Sequence, residues 1–379
     1  MVMWLTQYTL TLKKHLIWFR TNDFLEKSYG IKGRLLKWIQ EFLVGRSQYV
    51  TVNGEKSTSG AVLSGIPQGT VLGPILFVIY INDILEHITS DGFLFADDTK
   101  IFRTITSKDD ALHLQSDIDS LKDWSVKWGM EFNLDKCHVL TLGKFENIKY
   151  THRYKIGDDE IDHEFDEKDL GVIIDSTLTF EDHISEKIRV ANGIVGLVRR
   201  SFSYLDTLSF KKLFCAFIRP HLEYAQSVWA PHLQKYINAI ENVQMRATKL
   251  VDGLGDLEYE ERLKKCGLTT LLFRRMRGDM IEVFKHFRIY DRVILSLSFM
   301  QNDRPSRKHR YQLYQQRPCD GDRGLQTNSF YFRVTKQWNE LPVHVIEAPD
   351  INAFKNRLDA AWVNHPLKYR HNQVTQSDL

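Results

Sequence analysis

The chain has 379 residues, 43% hydrophobic and 26% charged, the proportions of a folded protein with room for two or three domains, so disorder is excluded as a global feature. Its 51 Lys and Arg against 48 Asp and Glu leave a formal charge of +3, which does not by itself announce a nucleic-acid binder. Four scattered cysteines, Cys137, Cys215, Cys266 and Cys319, argue against a disulfide framework or zinc site and for a reducing compartment, and the longest apolar stretch, Pro74 to Ile81, is too short to cross a bilayer.

Met1 to Arg20 contains no Asp or Glu and carries Lys13, Lys14 and Arg20, but it lacks the Ser and Arg enrichment of a targeting peptide and shows no clean periodicity. Asp23 reads as an N-terminal helix cap. Leu35, Leu36, Trp38, Ile39, Phe42 and Leu43 then recur at helical spacing, and Gly45 ends the helix. Gln48 to Gly54 alternates into a strand and an Asn-Gly turn. From Ser64 to Pro74, three glycines (Gly65, Gly69, Gly73) and two prolines (Pro67, Pro74) make a bent approach that lets backbone come close to a ligand before an apolar helix begins. Two short apolar runs, Phe93 to Ala96 and Thr99 to Phe102, flank Asp97 and Asp98, the pattern of a buried β-hairpin with carboxylates at its tip. Adjacent carboxylates repel and lose hydration there, so the pair is either a solvated turn or the seat of a cation. Mg²⁺ suits the second reading, since it takes hard oxygen ligands and is held by one or two carboxylates plus substrate phosphates.

The string Ser64 to Pro74 followed by Phe95-Ala96-Asp97-Asp98 resembles the palm of reverse transcriptases from jockey-like non-LTR retrotransposons. The resemblance implies an α+β fold: a partial right-hand polymerase palm of antiparallel sheet with helices, then a helical thumb and a helical C-terminal region. It implies templated, Mg²⁺-dependent addition of dNTPs to a primer 3′ end, with Mn²⁺ as the alternative ion. The partners it implies are an RNA template, a DNA primer and dNTPs, with no membrane and a cytoplasmic or nuclear location. By the same resemblance Asp97 and Asp98 are catalytic metal ligands, and Pro67, Gln68 and Gly69 lie against the templating base and incoming nucleotide. Arg46 approaches the template, although by its position alone it is equally an exposed helix-end charge.

Enzymes of this kind carry a further metal-binding aspartate on a strand directly before the Tyr29 to Gly54 stretch, and no acid precedes Asp23 here. The expectation is therefore an N-terminally truncated polymerase with an incomplete site and no endonuclease. The alternative is a non-catalytic nucleic-acid-binding remnant or domesticated fragment.

Further along, Leu114, Ile118, Leu121, Trp124 and Trp128 form the apolar stripe of a helix, with Asp110, Asp117, Asp119 and Lys122 expected mostly off that face. In Gly129 to Cys137, Lys136 matches by resemblance the lysine that closes the palm beside the departing pyrophosphate, or is a charged turn residue. The acidic run from Asp158 to Asp169 lacks EF-hand spacing and reads as a solvated connector. It leads into Lys168 to Asp175, which resembles the primer-grip hairpin, with Leu170 and Gly171 at its tip. Helices are predicted over 180–200, 209–218, 234–251 and 268–287. Basic pairs at Arg199-Arg200, Lys211-Lys212, Lys264-Lys265 and Arg274-Arg275, with Arg277, suggest a stripe facing duplex phosphates, whereas Trp229, Tyr236 and Phe273 read as core. The predicted division is an atypical segment 1–23, a partial fingers and palm domain 24–178, a helical thumb 179–300, a basic linker 301–328 suited to RNA, and a C-terminal region 329–379.

Overall fold

The computed structural model of the chain describes residues 2–3, 11–12, 29–62, 65–67, 69–143, 152–288, 311–314 and 328–371. It is an α+β protein of many helices and short, mostly antiparallel strand pairs. Two compact units make it up, 1–171 with 175–177 and 172–174 with 178–379. Asp23, Gln68, Cys319 and most of the basic linker lie outside the described residues.

The first unit begins with β1 (Val2–Met3) and β2 (Thr11–Leu12), followed by α1 (Gly33–Leu43), which sends Ile39 inward and leaves Leu35 and Trp38 half exposed. β3 (Arg46–Gln48) pairs antiparallel with β6 (Gly60–Val62). Between them β4 (Thr51–Val52) and β5 (Glu55–Lys56) make the expected Asn-Gly hairpin, with both turn residues, Asn53 and Gly54, at the positive φ that a type I′ turn demands. α2 (Leu72–Ile81) is apolar on every side, so it buries two faces: Leu76 packs on Ile39, and Tyr80 and Ile81 enter the main core.

β7 (Asp91–Phe95) and β8 (Asp98–Arg103) form an antiparallel hairpin, and β1 pairs with the far end of β8 at Phe102 and Arg103. α3 (Lys108–Trp128) starts at a capping box in which Ser107 Oγ accepts from Asp110 N while the Asp110 carboxylate accepts from Ser107 N, and it ends at left-handed Gly129. Its predicted stripe is buried and packs with Tyr80, Ile84, Ile101 and Val139. Asp117 departs from the expectation, since it is buried on that helix. Its carboxylate accepts from Thr89 N at 2.8 Å and Ser90 N at 2.9 Å, so the helix ties down the loop ahead of β7.

β9 (Met130–Glu131) pairs with β2, and β10 (His138–Leu140) runs parallel to β13 (Asp162–Glu164). β11 (Lys155–Ile156) pairs with β12 (Asp159–Glu160), and β14 (Asp166–Asp169) follows. The acidic run is thus built into short strands rather than a connector. Buried Ile156 and Ile161 anchor it, and most of its acids point outward.

The second unit opens in β15 (Val172–Asp175), where Ile173 N donates to His183 Nδ1 at 3.2 Å. Helices follow: α4 (Glu181–Ser201), α5 (Thr207–Leu213) continuing as a π turn through Ile218, α6 (Arg219–Glu223), α7 (Gln226–Trp229), α8 (Gln234–Thr248), α9 (Tyr259–Cys266) and α10 (Leu271–Arg288). α11 (Phe330–Glu340), α12 (Val343–Ile346) and α13 (Ile351–Ala361) complete it. Met280, Val283 and Phe284 of α10 share one core with Val334, Trp338, Phe354 and Leu358. Trp229, Tyr236 and Phe273 are core residues, as their helical spacing suggests.

Much of the predicted basic stripe is engaged inside this unit. Arg274 forks onto Glu223, Arg277 forks onto Asp359, Lys264 pairs with Glu260, and Arg275 is buried. Three of the nine basic residues, Arg274, Arg275 and Arg277, therefore serve helix packing, and the acids onto which Arg274 and Arg277 fork stand on other helices that the sequence order conceals, whereas Lys264 stays half exposed beside Glu260 of its own helix. Among the described residues, no helix is long and apolar enough to cross a membrane.

Candidate functional site

The β7–β8 hairpin presents two different faces. Period-two alternation sends Leu94, Thr99 and Ile101 inward, Thr99 and Ile101 fully so, and leaves Phe93, Phe95, Asp98, Lys100 and Phe102 on the other side. Phe93 stacks on Phe102 with centroids 5.4 Å apart, yet Phe93 and Phe95 remain 56% and 61% exposed. The hairpin is half-buried rather than buried, because Phe93 and Phe95 on its Asp-bearing face stay exposed.

Phe95 and Asp98 are register partners, so Ala96 and Asp97 are the two turn residues. Ala96 takes a φ of 53°, the left-handed region that glycine enters without a steric penalty, and this tight tip sets Asp97 beside Asp98 at the partly exposed end of the ladder. Their oxygens are a hard donor set suited to Mg²⁺ or Mn²⁺, and both carboxylates keep access to solvent. Among the described residues, no group of three His, Cys, Asp or Glu forms a candidate metal site.

The glycine-rich approach is a compact turn at the start of α2. Thr70 Oγ1 donates to Pro67 O at 2.8 Å and accepts from Gly73 N at 3.1 Å. Any Cβ on Gly73 would stand 2.8 Å from Pro67 O and 3.0 Å from Ile66 Cγ2, so only glycine lets the turn lie this close to the helix. Gly65 and Gly69 both take positive φ. Arg46 is half-buried and bridges two elements, donating from Nε to Leu43 O at 2.9 Å and from Nη2 to Gly65 O at 2.5 Å. The arginine therefore fastens the end of α1 to the Gly65–Gly69 turn, which is more than an exposed helix-end charge.

Leu170 and Gly171 form the two-residue turn between β14 and β15, with φ of 44° and 85°. Leucine in the left-handed region is strained, so surrounding structure must hold this turn. Lys100 of β8 bonds Asp169, the residue just before it. Lys136 is exposed on the 3₁₀ turn Leu134–Lys136, which Asn133 caps by accepting from Asp135 N at 3.2 Å. Side-chain links thus join Arg46 to the Gly65–Gly69 turn and the carboxylate hairpin to the Leu170–Gly171 turn. Sequence reasoning did not single out Lys100 or Asp169. Strand alternation puts Lys100 on the face of Asp98, but its partner lies 69 positions away and carries no local signal.

Residues 15–186 match the family described as reverse transcriptase (RNA-dependent DNA polymerase). That match holds the paired carboxylates, both turns and Lys136, and it reaches nine residues into the segment that the motifs left unassigned. The chain is 28% identical over 255 residues to the RNA-directed DNA polymerase from mobile element jockey of Drosophila funebris, covering 62% of this chain and 27% of that protein. It is 25% identical over 251 residues to the Drosophila melanogaster protein of the same name, covering 60% and 27%. To the probable RNA-directed DNA polymerase from transposon X-element of Drosophila melanogaster it is 26% identical over 233 residues, covering 57% and 24%. The chain spans about a quarter of the length of these curated relatives.

Proposed function

We propose, from the match of residues 15–186 to the reverse transcriptase family, that this chain is the part of an RNA-directed DNA polymerase that holds the paired carboxylates and the two substrate-facing turns. One observation carries the reading: Asp97 and Asp98 stand together at the tip of an antiparallel hairpin inside the matched region. In this reading the first unit is the palm with part of the fingers, and the helices of the second unit are the thumb and C-terminal region. The partners are an RNA template, a DNA primer and dNTPs.

Asp97 and Asp98 would hold Mg²⁺, or Mn²⁺ in its place. Such an ion, when bound, neutralises triphosphate charge and lowers the pKa of the attacking hydroxyl. The Pro67–Gly69 turn, free of bulky side chains at its glycines, brings backbone to the templating base and the incoming nucleotide. The Leu170–Gly171 turn seats the primer end, and Lys136 offers its ammonium to the departing pyrophosphate. With Asp97 and Asp98 as the donor set among the described residues, the chain by itself binds a primed template but extends it poorly, because two-metal phosphoryl transfer draws on further carboxylate oxygens to bridge the ions.

Primer extension on poly(rA)/oligo(dT) with Mg²⁺, run beside a binding assay, tests this. The expected result is salt-dependent heteroduplex binding with incorporation no higher than that of Asp97→Ala. Robust incorporation that Asp97→Ala abolishes would show a complete site, and absence of binding at low salt would remove the polymerase reading. That no group of three candidate ligands forms among the described residues favours a second reading, a non-catalytic nucleic-acid-binding remnant. A version of the chain extended upstream through its natural reading frame separates the two: incorporation gained on extension supports the polymerase, and binding still without incorporation supports the remnant.

A further inference from the structure

Lys100 lies two residues beyond Asp98 on the same face of β8, opposite Phe93 in the register and beside the Phe93–Phe102 stack. A lysine side chain this little exposed loses part of its hydration, and its ammonium needs a fixed acceptor. Asp169 supplies it, and the two side chains are only 16% and 18% exposed. Asp169 is also the last residue of β14, so the strained Leu170–Gly171 turn begins at the next peptide. The base of this excursion is tied by backbone, with Ser176 N donating to Phe165 O at 2.8 Å and Gly143 N to Ser176 O at 2.9 Å. Those bonds lie several residues from the tip, and the β14–β15 ladder ties the two ends of the turn to each other, whereas the Lys100–Asp169 pair ties the turn to β8. From carboxylate to turn the path is two strand residues, one ion pair and one peptide.

We propose that the Lys100–Asp169 ion pair is a positioning link that fixes the Leu170–Gly171 turn in register with Asp97 and Asp98. Resting on the polymerase reading above, it sets how a primer end seated on the turn is presented to the carboxylates. Neither residue touches the reacting atoms in this assignment. What they contribute is the relative placement of two elements that lie far apart in sequence.

The full chain is tested with the single reversals Lys100→Glu and Asp169→Lys, the double reversal, and the charge-keeping Lys100→Arg and Asp169→Glu. One readout needs no nucleic acid: amide hydrogen exchange at Leu170 and Gly171. The other is photocrosslinking from a primer bearing 4-thiothymidine at its 3′ end, annealed to RNA, to the peptide containing Leu170. Each single reversal is expected to speed exchange at the turn about ten-fold and to lower the crosslink about five-fold, with heteroduplex affinity changed less than about two-fold. The double reversal restores both readouts, and the charge-keeping variants resemble wild type.

Unchanged exchange in the single reversals overturns the link. Faster exchange with an unchanged crosslink makes the pair merely structural and overturns its positioning role. Wild type that neither binds nor crosslinks the heteroduplex overturns the polymerase reading itself, before any variant is compared, and the positioning role falls with it. Should a reversal speed exchange throughout its unit, Lys100→Gln, which removes the charge without repulsion, takes its place with the same expected outcomes.

Discussion

The two units handle charge in opposite ways. In the first, Asp117 is the one charged side chain buried among the described residues, and the remaining acids and bases stay near solvent, including the carboxylates at the hairpin tip. In the second, Glu241, Arg262, Arg275 and Asp279 are all buried, Glu241, Arg262 and Asp279 with hydrogen-bonded partners and Arg275 within the fields of Asp279 and Glu241. Glu241 accepts from Tyr259 Oη at 2.5 Å and Leu271 N at 2.9 Å, and Arg333 forks onto Asp279. A charge kept at the surface stays available to a ligand, whereas one sunk in a core is committed to packing. The second unit is therefore scaffold in its interior, and the first keeps its chemistry on its rim.

The largest expected effect strikes the scaffold. Trp338 is fully buried, donates from Nε1 to Tyr311 O at 2.8 Å and stacks on Phe287. Trp338→Ala should cost about 3–5 kcal/mol, read as faster exchange through α10, α11 and α13, with α3 of the first unit unaffected. Loss of protection in α3 as well would break the comparison, because it would make the two units one cooperative block.

Glu241 sharpens it through pH. Burial pushes its carboxyl up from 4.5 to about 7, against the pull of Tyr259 and Leu271. The folded state thus holds the proton more tightly than the unfolded chain, so this contribution is full below pH 4.5 and is lost as pH rises through 7. At roughly 1.4 kcal/mol per pH unit the change approaches about 3 kcal/mol. The stability of wild type relative to Glu241→Gln should decline by that order between pH 4.5 and 7, measured by denaturant unfolding at several pH values. A flat difference would show that Arg275 keeps the carboxylate charged throughout.

Asp117 is the first unit's counterpart, with a smaller reach. Asp117→Ala removes the acceptor for Thr89 N, Ser90 N and the Ser90 hydroxyl, an expected loss of about 2 kcal/mol. Exchange should quicken in the 88–91 segment and leave α8 to α10 unchanged.

How much of this could be seen in the sequence follows from the range of each signal. The α3 stripe, the Asn53-Gly54 hairpin and the Asp97-Asp98 tip are written within a few residues, by period and turn chemistry, and the fold follows them. Asp117 misled because its helical position gives no hint that a loop 27 residues earlier needs an acceptor. The Lys100–Asp169 pair and the engaged arginines of α10 were hidden for the same reason, since a partner 51 to 82 positions away is fixed only by the packed fold. The half-exposed hairpin face was misjudged because Phe93 and Phe95 are apolar, and apolarity alone does not say which face of a strand is covered.

The smallest effect tests whether local signals in the first unit act locally. Ser107 opens α3 by accepting from Asp110 N at 3.2 Å, with Asp109 and Asp110 in the first turn, where negative charge suits the helix dipole. Ser107→Ala leaves that amide without its side-chain acceptor and should cost about 1 kcal/mol, whereas Ser107→Thr keeps the oxygen and should cost less. The core stripe from Leu114 to Trp128 is untouched by either change, so exchange should quicken in the first turn of α3 and stay slow beyond Leu114. If the loss instead spreads to Tyr80 and Ile101, which pack on the same stripe, the cap governs the core of the unit that carries the carboxylates. The rim chemistry would then depend on a single serine hydroxyl at the mouth of the helix beneath it.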